Sequence, residues 1–147
     1  MPREWITLDI KATDIATHFS CTYMVEDVTP EEVEQAIKTT RLLLVDAWAP
    51  SCSPCKELEP IMDELEEMFA HNSDVRIVKV NTQEHIGFTT KYDIFAIPCI
   101  LAFFDGKPAE YLFQSETGEW KKVDRLLGLR PFDHYEKMIR SLLGTPE

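Results

Sequence analysis

The alternation of apolar and polar residues along the chain predicts strands and helices that follow one another. Residues 42–47 are apolar except for Asp46, a pattern typical of a strand covered on both faces in a parallel sheet. Further strands are predicted at residues 22–28, 75–80 and 99–104, the last closed by the turn signal Asp105 and Gly106. We expect residues 42–47 to form the central strand.

Helical features separate and follow these strands. Thr29, Pro30 and Glu32 supply an N-cap, a proline at the first helical position and a capping-box glutamate. Apolar residues recur at helical spacing from residue 58 to residue 69, and Pro60 is expected to kink that helix near its start. The other predicted helices are residues 30–39, 84–93 and 132–143, the last ending at Gly144. The order of elements is that of an α/β protein.

The length and composition suit one domain. The chain has 147 residues, of which 44% are hydrophobic, and this is enough to bury an ordinary core. We predict a single domain over residues 1–147, with an N-terminal extension over residues 1–20 and the main fold over residues 21–147. In the extension, Ile6, Leu8 and Ile10 alternate with polar residues, as a half-buried strand or a docked arm would.

The charge and the lack of long apolar segments disfavour two classes of partner. A formal net charge of -11 repels phosphate backbones and anionic lipids. No stretch has the pattern of a signal peptide or of a membrane-spanning segment. We therefore expect a cytoplasmic protein that binds neither nucleic acid nor membranes.

Two of the four cysteines, Cys52 and Cys55, are separated by two residues at the predicted start of a helix. This spacing allows a small disulfide ring, and the helix N-terminus favours an anion on the first cysteine. Because the thiolate is the form that attacks disulfides, Cys52 is predicted to be the nucleophile, and the more buried Cys55 to stay a thiol until needed. Cys21 and Cys99 are predicted to be buried structural cysteines.

Half of a zinc site is the alternative explanation of the pair. Zinc usually takes four ligands, often as two close pairs, and only the isolated Cys21, Cys99 and scattered histidines would complete a set. Pro54 also stiffens the loop against wrapping around a metal. We predict a redox-active pair with no metal and no other cofactor.

The surroundings of the pair resemble the thioredoxin family. Residues 44–60 are similar to its active-site strand, loop and kinked helix, residues 79–81 to its third strand, and residues 97–98 to its cis-proline turn. This combination is more specific than an isolated pair of cysteines. The resemblance implies a thioredoxin fold, in which helices flank a central mixed β-sheet. The matching positions near the cysteines are Asp46, Trp48, Ala49, Pro54, Lys56 and Pro60.

The resemblance also implies a protein disulfide reductase. Cys52 would attack a substrate disulfide, and Cys55 would displace the reduced product and leave a Cys52–Cys55 disulfide. Asp46 would be buried and accept a proton from Cys55, and Lys79 would tune Asp46. From the residues alone, a strand-end aspartate that caps a loop is the less favoured alternative for Asp46, and a lysine that faces solvent is the alternative for Lys79.

Substrate contacts follow from the same resemblance. Pro98, if cis, would stack beside the disulfide and leave the backbone of Ile97 free to pair with an extended substrate. Trp48 would support the loop and form part of the docking surface, although core packing alone would also explain it. An ordinary strand-initial proline is the alternative for Pro98. The predicted substrate-binding residues are Trp48, Ser51, Ser53, Pro54, Ile97 and Pro98.

Two residues depart from the family pattern. Ser51 stands where the family has a tryptophan, which removes a flat apolar shoulder from the docking surface. Ser53 stands where the family has a glycine and adds a hydroxyl near the thiolate. The absence of histidine between the cysteines favours a reductase over an oxidase or isomerase.

The segment between Gly106 and Gly128 is about a dozen residues longer than a short family hairpin needs. It predicts an enlarged β-hairpin near residues 107–127, at the pole opposite the active site, with an apolar face formed by residues 111–113 and Trp120. Such a face needs a cover. We expect the N-terminal arm rather than another subunit to supply it.

Other functions stay compatible with the sequence. The alternatives are a non-catalytic thioredoxin-like module that binds a partner or senses redox state, and an oxidoreductase with one dedicated partner. Intact Asp46, Lys79 and Pro98 favour the catalytic hypothesis. Its expected partners are disulfide-containing protein substrates and an upstream reductase or other electron donor.

Overall fold

A computed structural model describes residues 24–144 of the chain. The predicted strand or arm at residues 6–10 and the predicted burial of Cys21 lie outside these residues. In chain order the elements are β1 Glu26–Asp27, α1 Pro30–Thr39, β2 Leu42–Trp48, α2 Ser53–Met68, β3 Val75–Asn81, α3 Ile86–Lys91, β4 Cys99–Phe104, β5 Lys107–Pro108, β6 Tyr111–Gln114, β7 Trp120–Val123, β8 Arg125–Leu127 and α4 Phe132–Leu143. No helix in the described part is long and apolar enough to cross a membrane.

The main sheet is mixed, as predicted. Its order is β1-β3-β2-β4, and both β5 and β8 pair with the outer edge of β4. Strands β1, β3 and β2 run parallel, whereas β4 is antiparallel to β2. The prediction that residues 42–47 form a central strand is confirmed, because β2 has a neighbour on each side.

Capping explains where the helices begin and end. The Thr29 hydroxyl accepts from the Glu32 N–H at 3.2 Å and the Glu32 carboxylate accepts from the Thr29 N–H at 2.9 Å, so the predicted capping box is present. Helix α2 contains Pro60. Helix α4 ends at Gly144, whose φ of 75° is left-handed.

The helix predicted over residues 84–93 is shorter than expected. It covers only Ile86–Lys91, because the Asn81 carbonyl and side chain accept from the N–H groups of Glu84 and Gln83 and hold those residues in a turn. At the other end Asp93 takes a left-handed conformation with φ of 53°.

Helices cover both faces of the sheet. Leu42 and Leu44 of β2 belong to the core under α2 and α4, whereas Leu43, Val45 and Ala47 belong to the core under α1 and α3. This alternation explains the continuous apolar run of β2. It also puts Asp46, two residues after Leu44, on the α2 face.

The extra hairpin interrupts an edge strand rather than extending a turn. Asp105 and Gly106 form a tight turn between β4 and β5, with φ of 53° and 83°. At the outer edge of β4, the Ala102 carbonyl accepts from the Ala109 N–H at 2.9 Å and the Ala102 N–H donates to the Asp124 carbonyl at 3.2 Å. The prediction of an enlarged hairpin is confirmed, but its predicted place at the far pole is wrong, because the chain leaves the sheet and returns to it at mid-strand.

The protein itself covers the inner face of the β6–β7 hairpin. Tyr111, Phe113 and Val123 pack against the core under α2 and α4, and the Phe113 ring lies 5.6 Å from the His134 ring of α4. This contact corrects the expectation that the whole apolar face needs a separate cover. Leu112 and Trp120 on the outer face are 59% and 63% exposed. Docking of the N-terminal arm there stays a prediction.

Candidate active site

Cys52 and Cys55 form a disulfide at the start of helix α2, with their Cα atoms 5.2 Å apart. Cys52 is the N-cap of the helix, and its Sγ accepts a hydrogen bond from the Cys55 N–H at 3.2 Å. Cys52 is partly exposed, whereas Cys55 is 5% exposed. The Cys55 N–H and the positive end of the helix dipole therefore act on the more accessible sulfur.

The loop before the cysteines is fixed by β3 and the turn after it. The Trp48 carbonyl accepts from both the N–H and the hydroxyl of Thr82, at 2.8 and 3.0 Å. The Ser51 hydroxyl is hydrogen-bonded by the side-chain amide of Gln83 at 2.8 Å. Ser51 thus lies at the surface beside Cys52 with its hydroxyl already engaged. On the other side of Cys52, Ser53 and Pro54 form the exposed first turn of α2.

Asp46 is a buried carboxylate on the same sheet face as α2. It is 4% exposed, and its Oδ1 has no hydrogen-bond partner in the described part of the chain. Burial raises the pKa of Asp46 to about 7, an effect that the positive charge of Lys79 opposes and the negative charges of Glu59 and Asp27 reinforce. The carboxyl can therefore gain or lose a proton near neutral pH.

Lys79 is next to Asp46 in the sheet but is paired elsewhere. The two residues are register partners on β3 and β2, yet the Lys79 ammonium lies 3.3 Å from the Glu59 carboxylate of α2. It also lies 4.9 Å from the centre of the Trp48 ring, over its face. The Trp48 indole N–H donates to Asp27 at 3.4 Å. Lys79 acts on Asp46 through its charge rather than through a hydrogen bond.

The turn before β4 lies at the same edge of the sheet as the cysteines. The Ile97–Pro98 peptide bond is cis, and Pro98 is buried. Because Cys99 pairs with Ala47 near the end of β2, residues just before it lie beside the loop that carries Cys52. The Gly128 N–H donates to the Pro98 carbonyl at 2.8 Å.

Cys99 points away from the cysteine pair. It belongs to the core under α1 and α3, on the sheet face opposite α2, because side chains alternate along β4. Burial raises the pKa of its thiol to about 11. Its position and pKa agree with the prediction of a buried structural cysteine.

Three residues that the sequence did not single out lie near this site. They are Glu59, Gln83 and Phe95. Glu59 is four residues after Cys55 and so lies on the same side of α2. This spacing is visible in the sequence and places Glu59 near the cysteines. Phe95 is 84% exposed three residues before Pro98, and nothing in its local pattern distinguished it from a core phenylalanine. Within residues 24–144 no group of His, Cys, Asp or Glu side chains could hold a metal ion.

The cysteine pair lies at a helix N-terminus, with a buried carboxylate behind it and a cis-proline turn beside it. This arrangement defines a thiol:disulfide oxidoreductase. Comparison with known families gives a match to the thioredoxin model over residues 24–124. The chain belongs to the thioredoxin family. Membership of this family confirms the predicted thioredoxin fold and the predicted disulfide reductase activity.

Individual relatives are similar over most of their length. The thioredoxin of Chlamydia caviae is 34% identical over 116 residues, which are 79% of this chain and 96% of the relative. The thioredoxin of Alicyclobacillus acidocaldarius is 29% identical over 116 residues, with 79% and 95% covered. The oxidised mitochondrial thioredoxin 3 of Saccharomyces cerevisiae shares the fold with a TM-score of 0.62 at 22% identity, covering 82% of this chain and 97% of that one. Thioredoxins act through a redox-active disulfide without a cofactor.

Proposed function

We propose that Cys52 attacks disulfides in protein substrates and that Cys55 resolves the resulting mixed disulfide. The observation that carries this assignment is the difference between the two sulfurs, since Cys52 Sγ is the partly exposed N-cap of α2 and Cys55 is buried. In the reduced protein the helix N-terminus stabilises a thiolate on Cys52. That thiolate attacks one sulfur of the substrate disulfide, a Cys52–substrate bond forms, and the other substrate sulfur leaves and takes a proton.

Asp46 is assigned to the second step. Cys55 loses its proton to the Asp46 carboxylate, directly or through water, and attacks Cys52 Sγ. The mixed disulfide breaks, the second substrate sulfur leaves as a thiolate and is protonated, and Cys52 and Cys55 form the disulfide. The substrate gains two electrons and two protons. A pKa of about 7 suits Asp46 to accept a proton at neutral pH and to release it afterwards.

Substrate recognition is assigned to the edge of the sheet around Cys52. The backbone of Ile97 makes no hydrogen bond to another described residue and is available to an extended substrate strand. We assign Pro98 and Trp48 to the centre of the substrate-binding surface. Its periphery is formed by Ser51, Ser53 and Pro54.

The oxidised protein needs two electrons to act again. We assign this step to an upstream reductase or another dithiol donor, and the substrates to disulfide-containing proteins. A reducing compartment such as the cytoplasm is where a working dithiol of this kind is maintained. The unit proposed is one domain over residues 1–147, with residues 1–20 as an extension of the fold over residues 21–147.

The test is reduction of insulin disulfides by dithiothreitol with catalytic amounts of the protein. Wild type and Cys99→Ser should accelerate the reaction, whereas Cys52→Ser should not, because only Cys52 initiates exchange. Cys55→Ser should trap substrates as mixed disulfides in a cell extract. The assignment would be contradicted if wild type did not accelerate the reaction and Cys55→Ser trapped no protein. That result would favour a non-catalytic module. Trapping of a single protein without insulin turnover would indicate one dedicated partner.

A further inference from the structure

Among residues 24–144, one ammonium lies among three carboxylates behind the disulfide. Lys79 is the register partner of Asp27 on β1 and of Asp46 on β2, so the three side chains leave the same face of the sheet. Helix α2 covers this face and brings Glu59 to the same ammonium. The acids therefore compete for one positive charge.

The contacts decide that competition in favour of Glu59. Its carboxylate is 3.3 Å from the Lys79 ammonium, which the face of Trp48 also holds. Asp27 accepts the indole N–H of Trp48, and Asp46 Oδ1 has no partner in the described part of the chain. Asp46 is thus next to a cation whose nearest contact is with another acid.

We propose that Glu59 is a positioning residue for disulfide exchange, because it holds the Lys79 ammonium and thereby sets how readily Asp46 accepts the Cys55 proton. The effect on the rate of disulfide exchange rests on the proposed function, whereas the effect of Glu59 on the protonation of Asp46 does not. Glu59 touches neither sulfur. It acts on the reaction only through Lys79 and Asp46.

The direction of the effect follows from the charges that act on Asp46. The negative charge of Glu59 favours the protonated form of Asp46, and its ion pair keeps Lys79 from approaching the carboxylate. Removing that charge therefore leaves Asp46 a better acid. The charged and titratable groups that face or act on Asp46 are Asp27 of β1, Lys79 of β3, Glu59 and, in the reduced protein, Cys55 of α2, Cys99 of β4 and Tyr135 of α4.

The direct test is the titration of the Asp46 carboxyl carbon by NMR in the oxidised protein. In Glu59→Gln the midpoint should fall by about one pH unit, as expected when one charge within several ångströms is removed from a buried acid. Lys79→Met should raise the midpoint above that of wild type. The matched control is Glu57→Gln, which removes an equal charge from the exposed side of the same helix, where no described residue pairs with it.

In the Glu57→Gln control, Asp46 should have the same titration midpoint as in wild type. Equal midpoints in wild type, Glu59→Gln and Glu57→Gln would overturn the proposal, and so would equal falls in both glutamine variants. The rate at which Cys55 resolves a mixed disulfide should also be measured against pH. In Glu59→Gln the rate at high pH should equal that of wild type, and the fall in rate at low pH should shift to lower pH by as much as the Asp46 midpoint does. A wild type with the expected titration but no disulfide reduction would contradict the proposed function and leave the Glu59–Asp46 coupling established.

Discussion

Asp46 and Lys79 are register partners on adjacent parallel strands, yet the carboxylate of one and the ammonium of the other are not hydrogen-bonded. The positive charge nearest to the buried acid therefore compensates only part of the cost of ionising it. Burial is the larger effect and raises the pKa of Asp46 to about 7 from an ordinary value of 3.8. This imbalance has consequences for both stability and rate.

Asp46→Asn should stabilise the fold at high pH. Between pH 4 and 7 the folded protein holds a proton on Asp46 that the unfolded chain has lost, so wild-type stability falls as the pH rises through this interval. The neutral amide escapes that loss. At pH 8 the variant should gain up to about 4 kcal/mol in free energy of unfolding, and at pH 4 almost nothing.

Denaturant midpoints of both proteins at pH 4 and pH 8 measure this difference. A lower midpoint for Asp46→Asn at pH 8 would contradict the burial of an ionisable carboxyl. The same variant should slow the resolution of mixed disulfides by Cys55 more than the attack by Cys52. Stopped-flow measurement of the two steps separates them.

Cys52 and Cys55 should differ in reactivity once the disulfide is reduced. Iodoacetamide at neutral pH should modify Cys52 much faster, because it is partly exposed and lies at the N-terminus of α2, whereas Cys55 is buried. Peptide mapping after brief alkylation identifies the modified thiol. Equal labelling of the two would remove the basis for their different roles.

Phe95 should contribute to docking of protein substrates. It is 84% exposed and lies three residues before the cis-proline, and Ser51 provides no aromatic surface beside Cys52. Phe95→Ala should raise KM for insulin several-fold, corresponding to about 1 kcal/mol of lost apolar contact, and should change stability by less than about 0.5 kcal/mol. Reduction of a small disulfide reagent should stay unchanged. An unaltered KM for insulin would show that substrates do not use this side chain.

Phe113 should stabilise the fold without affecting exchange. Its ring packs against His134, and the Arg130 guanidinium lies 4.7 Å from the ring centre. Phe113→Ala should lower the free energy of unfolding by about 2 kcal/mol, whereas the exposed neighbour Leu112→Ala should change it by less than about 0.5 kcal/mol. Thermal unfolding of the two variants makes the comparison. Similar losses in both would mean that the hairpin does not dock on α4 through its inner face.

Local rules in the sequence predicted much of the fold. The capping box at Thr29, the apolar run of β2 and the turn at Asp105 and Gly106 each depend on residues close together in the chain, and each is present. Such features need no knowledge of distant contacts. The burial of Asp46 behind the cysteines, by contrast, was expected only from the family resemblance, and strand alternation accounts for it once the sheet is known.

What the sequence did not predict depends on contacts between distant segments. Glu59 meets Lys79 only because α2 lies across β3, and the spacing of Glu59 from Cys55 does not predict this contact. The split edge strand is a second case, since β5 and β8 acquire their place only by pairing with β4. Helix α3 is different, because local contacts shorten it: the Asn81 carbonyl holds Glu84 in a turn, and Asp93 takes a left-handed conformation beyond the last turn.

The two ends of the β6–β7 insertion meet at one residue of β4, Ala102. Strand register on either side is set by pairs that do not involve the inserted residues, so the exposed tip of the hairpin, residues 116–119, can change in length or content at small entropic cost. The same arrangement occupies an edge that would otherwise be open to a strand from another chain. The position is therefore a natural graft point, where a peptide epitope or binding loop can be carried on a redox-active scaffold.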